Sequence, residues 1–250
     1  GIGISMLMIV AASSAHAVVT YDDDVTPEVL FGAGNVNSDF TVDRANGVEL
    51  GLRGKVRFPT PANVFNSNGD GTYTFKAGVF NGSENPQWNF EWAVNTNYDG
   101  SGGNLDAYTY LLEMDFDPGP GTNFLAWDHI SYPTAAIPYA VPVTPTFYDH
   151  SVGTNATPNG GGTEAASAAA YAASLPVNNV AQNAWRHPFY DGPPYLFDAN
   201  KTGSYDIRLT AYQAAWRLAE GLPADEELAI AKFWAAEGAQ RVVHAAQHLH

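Results

Sequence analysis

The stretch "WNFEWAV", residues 88–94, decides the fold. Trp88, Phe90, Trp92 and Val94 take alternate positions. Successive side chains of a strand point to opposite faces, so one face here is strongly apolar. Glu91 falls on the other face, where a solvated strand surface is expected and a catalytic carboxylate is the competing reading. Outward from this strand the chain continues as short alternating stretches broken by Gly, Asn and Pro: Phe40 to Val42, Val48 to Phe58, Tyr73 to Val79, Tyr108 to Phe116 and Tyr205 to Ala211. Several short strands at close spacing indicate a sandwich or barrel rather than alternating strands and helices. The expected architecture is mainly β: an antiparallel, jelly-roll-like β-sandwich over 18–211, followed by a short helical hairpin over 212–250. Inside the body, "EAASAAAYAASL" (164–175) is Ala-rich and reads as a helix ended by Pro176. The Pro-rich segment 133–145 and Gly160-Gly161-Gly162 read as surface connections.

Composition supports the β reading. Charged residues make up 15% of the 250, while the chain holds 24 Gly and 16 Pro, which suits a turn-rich protein and not a helical bundle. A chain of this length buries roughly 70–75% of its unfolded surface and needs no covalent staples, consistent with the absence of cysteine. The formal charge is −15, from 11 Lys+Arg against 26 Asp+Glu. Such a surface repels nucleic acid and anionic lipid and leaves carboxylates available for divalent cations.

Residues 1–17 read as part of a signal peptide. Ile2 to Val10 is an apolar run, followed by small residues and Ala15-His16-Ala17. An apolar run of this length ending in A-x-A is the build of a secretory leader, and it is too short to span a bilayer. Cleavage after Ala17 would make Val18 the mature N-terminus, and membrane contact would be limited to the uncleaved leader. A buried N-terminal strand or helix is the alternative. The acidic run Tyr21-Asp22-Asp23-Asp24 that follows resists burial.

"NSNGDGTYTF" (66–75) and "DANKTGSYDI" (198–207) align without a gap, pairing Gly71 with Gly203, Tyr73 with Tyr205 and Phe75 with Ile207. Both read as one turn-into-strand device used twice. The first also carries Asn66-x-Asn68-x-Asp70-Gly71, which matches the front half of an EF-hand-like loop, as does Asn95-x-Asn97-x-Asp99-Gly100. Calcium takes six to eight oxygens, and alternating Asx side chains before a Gly supply several. The closing twelfth position holds Ala77 in one copy and Asp106 in the other. Asn66, Asn68, Asp70, Asn95, Asn97 and Asp99 are therefore the candidate metal ligands, with ordinary structural turns as the alternative. Asp115 and Asp117, two apart on one strand face, could add carboxylates.

No catalytic constellation is legible. His129, His150 and His187 read as loop residues, and His244 and His248 as the surface of a helix. There is no nucleotide loop, no G-x-S-x-G and no Cys nucleophile. Two carboxylates gathered in space for a secreted hydrolase are not a sequence feature, so that reading stays open.

Two resemblances lie in different parts of the chain. The stretches "NGVELGLRGKVRF", "FNSNGDGTYTF", "WNFEWAVNTNYDG", "LDAYTYLLEMDFDPGPGTNF", "NNVAQNAW" and "GSYDIRLTAY" resemble, in order, exported bacterial proteins whose precursors carry a PEP-CTERM sorting signal. This implies a protein of the surface or exopolysaccharide matrix of a Gram-negative bacterium, with exopolysaccharide or other surface proteins as partners and no assigned catalytic residues. The family's Pro-Glu-Pro motif and terminal basic cluster are not found here. From Gln213 onward, "QAAWRLAEGLPADEELAIAKFWAAEGAQRVVHAAQHLH" is similar to part of the C-terminal helical domain of acyl-CoA dehydrogenases. The resemblance implies that Gln247 and its successors approach a flavin. Residue patterning alone reads as a hairpin, with Gly221 ending one helix and Pro223 and Asp225-Glu226-Glu227 opening the next. The resulting expectation is a secreted, non-catalytic surface protein with no cofactor beyond calcium. The alternatives are an inactive fragment or fusion of an acyl-CoA dehydrogenase, and a secreted carboxylate-dependent hydrolase.

Overall fold

The structure is a computed structural model, which describes residues 3–11, 18–82, 84–131 and 150–212. Its strands are β1 (Gly3–Ala11), β2 (Val18–Asp23), β3 (Phe40–Ala45), β4 (Val48–Val56), β5 (Thr72–Lys76), β6 (Trp88–Asn95), β7 (Thr109–Asp115), β8 (Phe124–Trp127), β9 (Ser151–Gly153), β10 (Val180–Trp185) and β11 (Ser204–Tyr212). They form a five-stranded sheet in the order β5-β1-β11-β7-β8 and a six-stranded sheet in the order β2-β3-β4-β6-β10-β9. Ladders between these strands are antiparallel except for β1 with β11, which run parallel.

The sheets pack face to face. Leu50, Leu52, Trp88, Phe90, Trp92 and Val94 of the six-stranded sheet share one buried cluster with Tyr73, Phe75, Leu112, Met114, Leu125, Tyr205, Ile207 and Leu209 of the five-stranded sheet. The alternation read in residues 88–94 therefore marks the inner face, with Trp88 and Trp92 fully buried. Gly54 allows the close approach: a β-carbon there would stand 2.5 Å from the Phe75 ring, which stacks on Trp88 at 5.6 Å.

The outer face of the six-stranded sheet departs from expectation. Every residue of β6 is buried, Glu91 included. The segment after β2 folds back over this face and places Val25 and Val29 against Phe40, Val42 and Ala93 in a second apolar cluster. Gly51 makes room for it, since a β-carbon there would lie 2.5 Å from Val25 Cγ1. A polar letter at every second position of a strand signals solvent only if nothing covers that face, and a covering loop has no period of its own.

His129, His150 and His187, read as loop residues, are all buried. They lie edge-on to aromatic rings: His129 at 4.5 Å and His150 at 5.3 Å from Trp92, and His187 at 5.5 Å from Trp88. The inner helix is shorter than expected. It spans α1 (Ala168–Ser174) and starts where Ser167 Oγ accepts the Ala170 N–H, then passes into a 3-10 turn, Leu175–Val177, at Pro176.

Gly3–Ala11, inside the run read as a leader, pairs between β5 and β11. Those flanking strands are the two copies of the turn-into-strand device, and Tyr73 and Tyr205 both stand opposite Met6. Residues 213–250, and with them the expected hairpin, His244, His248 and Gln247, lie outside the described residues. Among the described residues, no helix is long and apolar enough to cross a membrane.

Candidate functional site

The covering segment leaves one end of the outer sheet face open. Pairing sets Lys55 of β4 opposite Asn89 of β6, and Arg53 opposite Glu91. On the other side Ala184 of β10 stands opposite Glu91, and Trp185 opposite Phe90. Arg186, one residue past the end of β10, joins Lys55 and Asn89 in lining a cleft of about 430 Å³. The walls are Phe31–Asn35 and Pro61–Asn63, with Arg57, Asn183 and Phe189 at the rim.

The walls are tied down by side-chain amides. Asn63 Nδ2 donates to Gly34 O (3.1 Å), and Asn63 Oδ1 accepts the Val36 N–H (3.2 Å). Asn159 Nδ2 donates to Asn35 O at 2.8 Å. Gln182 clamps the segment just before: its Oε1 accepts the Leu30 N–H (2.7 Å) and its Nε2 donates to Glu28 O (2.9 Å). Loop backbone that would otherwise be solvated is thereby held in place, so the cleft is preformed.

Behind the floor lies a buried charge network. Arg53 Nε donates to Glu91 Oε2 at 2.7 Å, its Nη1 to Val36 O at 2.8 Å and to Ser38 O, and its Nη2 to Asn35 Oδ1 at 3.1 Å. The guanidinium lies between the Phe40 and Phe65 rings, 4.0 Å from each. Asn35 Nδ2 donates to Glu91 Oε1 (3.2 Å), and Lys55 Nζ stands 3.5 Å from the same oxygen while donating to Asn35 Oδ1. Burial lowers the Lys55 pKa, and Glu91 opposes that. Glu91 is thus committed to structural partners, which argues against a free catalytic carboxylate.

The cleft floor and rim are different. Arg57 and Arg186 form no ion pair among the described residues. Both guanidiniums lie over Phe58, at 5.2 and 5.3 Å from its centroid, and Arg186 also lies 4.5 Å from Phe189. Burial, then repulsion from Arg57, lower the Arg186 pKa. Arg186 Nε and Asn89 Oδ1 have no hydrogen-bond partner, and Asn89 is only 4% exposed. An unmade bond on a buried polar atom costs about 1–3 kcal/mol, so a leftover donor and a leftover acceptor lining one cleft mark a place for a ligand.

The residues read as calcium ligands sit in two separate turns, away from this cleft. Asp70 Oδ1 accepts from Thr72 N–H (3.0 Å) and Thr72 Oγ1–H (2.6 Å), and Asn68 Nδ2 donates to Thr72 and Thr74 Oγ1. Asn66 itself has a positive φ of 55°. In the second turn, Asp99 Oδ1 accepts from Ser101 N–H (2.9 Å) and Oγ–H (2.6 Å), and Asn97 Oδ1 from Gly102 N–H (2.9 Å). Asn95 is buried and faces Asn155, Asn179 and Thr26. Asp70 Oδ1, Asp99 Oδ1 and Asn97 Oδ1 are each engaged by their own turn. Asp115 is likewise occupied, accepting from the Asp117 and Asn123 N–H groups.

Neither unpaired arginine nor Asn89 stands out in the sequence. Arg57 and Arg186 are 129 positions apart, and only the β4-β6-β10 pairing brings them together. The available signal was the scarcity of cations: several of the 11 Lys and Arg in the chain gather at one end of one sheet.

The comparisons with known proteins bear on the other end of the chain. A profile of the family described as "Acyl-CoA dehydrogenase, C-terminal domain" matches residues 201–250. The acyl-CoA dehydrogenase FadE27 of Mycobacterium tuberculosis (strain ATCC 25618 / H37Rv) is 48% identical over 52 residues, which is 18% of this chain and 14% of that protein. The C-terminal segment is thus similar to part of that domain, and the chain spans about a seventh (14%) of this relative's length. No solved structure matches. The matched region begins just before β11, whose nine residues are strand paired to β1 and β7.

Proposed function

We propose that the chain is a non-catalytic binding protein of surface or matrix type, exported by a Gram-negative bacterium, whose β-sandwich holds its ligand in the Lys55–Asn89–Arg186 cleft. The observation that carries this reading is the buried floor with unsatisfied polar atoms and unpaired cations in a chain of formal charge −15. The preformed, partly aromatic walls suit a small ligand or a short stretch of polymer. The stretches resembling PEP-CTERM-type exported proteins support the surface setting, and the apolar run before Ala15-His16-Ala17 supports export. Cleavage after Ala17 takes β1 from between β5 and β11. Those two strands run antiparallel to each other with Tyr73 and Tyr205 already in register. Closing by about one strand spacing, ~4.8 Å, gives them a ladder. The test is fractionation of expressing cells with N-terminal sequencing. An exported form beginning at Val18 is expected, and a chain retained in the cytosol with residues 1–17 intact refutes the export.

A second reading rests on the match over 201–250. On it the chain is an inactive fragment or fusion of an acyl-CoA dehydrogenase, and the flavin chemistry belongs to the whole enzyme. The residues that the resemblance places near the flavin, Gln247 onward, lie outside the described residues. Purified protein with a visible flavin absorbance, released on denaturation, would favour this reading over the first.

A further inference from the structure

We propose that the cleft selects a carboxylated saccharide, a uronate-type sugar, with Arg57 and Arg186 as the carboxylate clamp and Asn89 as the hydroxyl acceptor. This rests on the cleft being the binding site. The two unsatisfied atoms of the floor ask for opposite things. Arg186 Nε is a donor without an acceptor, and Asn89 Oδ1 is an acceptor without a donor. A simple anion supplies acceptors only, and a neutral alcohol brings no charge to the unpaired guanidiniums. A hydroxy acid supplies both.

The geometry narrows the ligand further. A guanidinium holds a carboxylate, its planar partner, through two parallel bonds. Arg57 and Arg186 lie 5.2 and 5.3 Å from the Phe58 centroid, so both guanidiniums are gathered at one ring before the ligand arrives. Phe31, Phe189, Asn63 and Asn183 line the same cavity. Aromatic and amide side chains around one cavity fit a sugar ring, with its C–H face and its equatorial hydroxyls. Lys55, although on the floor, is turned to Asn35 and Glu91 and supplies background potential more than a contact. Elsewhere the acidic chain repels anions, so selectivity must come from this local reversal of sign.

The experiment is calorimetric titration of the full chain with a galacturonate trimer, with its methyl ester, and with inorganic phosphate, at low and moderate salt. The acid trimer is expected to bind at least tenfold tighter than the ester, with an affinity that falls as salt rises. Arg57→Gln and Arg186→Gln are each expected to weaken acid binding about tenfold and ester binding much less, with melting curves checking that each variant is folded. Equal affinity for acid and ester, unmoved by either substitution, overturns the carboxylate assignment while the cleft remains a saccharide site. Phosphate binding tighter than the acid trimer overturns the saccharide class. Binding of neither sugar nor phosphate overturns the clamp and the cleft reading together.

Discussion

On the inner face of β6, Trp88, Phe90, Trp92 and Val94 lie among the rings of the facing sheet. One residue along, on the outer face, Asn89, Glu91, Ala93 and Asn95 are just as buried. Burial does not distinguish the two faces. The inner one is held by non-directional apolar contact, which tolerates swaps of similar volume. The outer one is held by directional bonds, in which every donor needs its acceptor. From Asn95 to Glu91 the outer face finds partners for its polar atoms. At Asn89 it runs out of them, and there the cleft opens. The lesson is that a binding site can be the place where a buried polar network is left unfinished.

Acid should give the largest effect, because the inner face hides imidazoles without any counter-charge. Burial brings His150 down to about 3 and His187 to about 4, although the latter donates from Nε2 to Asp115 O (2.9 Å), and His129 is also pushed well below its ordinary value. Unfolded, each takes up a proton near pH 6.5. The unfolded state therefore binds more protons below that pH, and the histidines' contribution is present above about 6.5 and lost as pH falls toward their folded values. Linkage gives roughly 2 kcal/mol for each histidine between pH 7 and pH 5. Asp206 works the other way: burial pushes its carboxyl up to about 6, so it returns roughly 1 kcal/mol over the same window. Urea titrations at pH 7 and pH 5 should show a net loss of several kcal/mol. Equal midpoints would mean that the imidazoles are hydrated in the folded protein.

Next in size is a paired substitution that separates the two faces directly. Arg53→Ala or Glu91→Ala should each cost about 3–5 kcal/mol, because each strands a buried charge. Trp92→Ala on the inner face should cost a similar ~3–5 kcal/mol through its cavity. The faces differ in what repairs them. Arg53→Met with Glu91→Leu should recover most of the loss, since a well-packed apolar pair replaces a buried ion pair at little cost. Chemical denaturation of Arg53→Met, Glu91→Leu and the double gives the coupling. If the double is as unstable as the sum of its singles, the network does more than neutralise itself.

The contrast also explains how much was legible in the sequence. Period two at 88–94 located the strand, the inner face and the antiparallel class, and the turn signals bounded β4, β6, β7 and β11 to within a few residues. Phe124–Trp127, Ser151–Gly153 and Val180–Trp185 escaped because a strand of a few residues, or one carrying Gln182 and Asn183, has too little alternation to register. Burial of Glu91 was hidden because its cover comes from residues 24–38, a loop with no pattern. The cleft was hidden for a related reason: its lining residues are gathered by strand pairing, which sequence spacing does not encode. The run 2–10 fits both an apolar leader and a strand, and the described pairing of Gly3–Ala11 shows the second can be formed.

Calcium is the next test, and it asks whether the two Asx turns follow the finished or the unfinished pattern. An ion bound only by the folded state would add about 2.7 kcal/mol at 100-fold excess over its dissociation constant. Binding at Asp70 Oδ1 or Asp99 Oδ1 would compete with Thr72 and Ser101, to which these oxygens are bonded. Thermal melts with calcium and with chelator should differ by several degrees if the ion wins that competition. Identical melts, repeated with Asp70→Ala and Asp99→Ala, retire calcium and leave the turns as structure.

The smallest effect is expected from removing residues 214–250. The body closes its own core by strand pairing, and β11, the last described element, is paired on both sides through Thr210 and on one side to Tyr212. A chain ending at Gln213 keeps all of these ladders. The similarity of 201–250 to the C-terminal domain of acyl-CoA dehydrogenases gives no reason for complementary faces with this β-sandwich. Against this, Trp216, Phe233 and Trp234 are large apolar groups, and any of them docked on a sheet face would contribute roughly 1.5–3 kcal/mol. Val19, Tyr21, Val177 and Leu196 are exposed on the body and would be the apolar surface such docking covers. Urea titration with circular dichroism separates the cases. A loss of about 1 kcal/mol with the β signature and a single transition retained makes the segment an appendage. A broad, non-cooperative transition, with aggregation through newly bared surface, makes the segment part of the folded core.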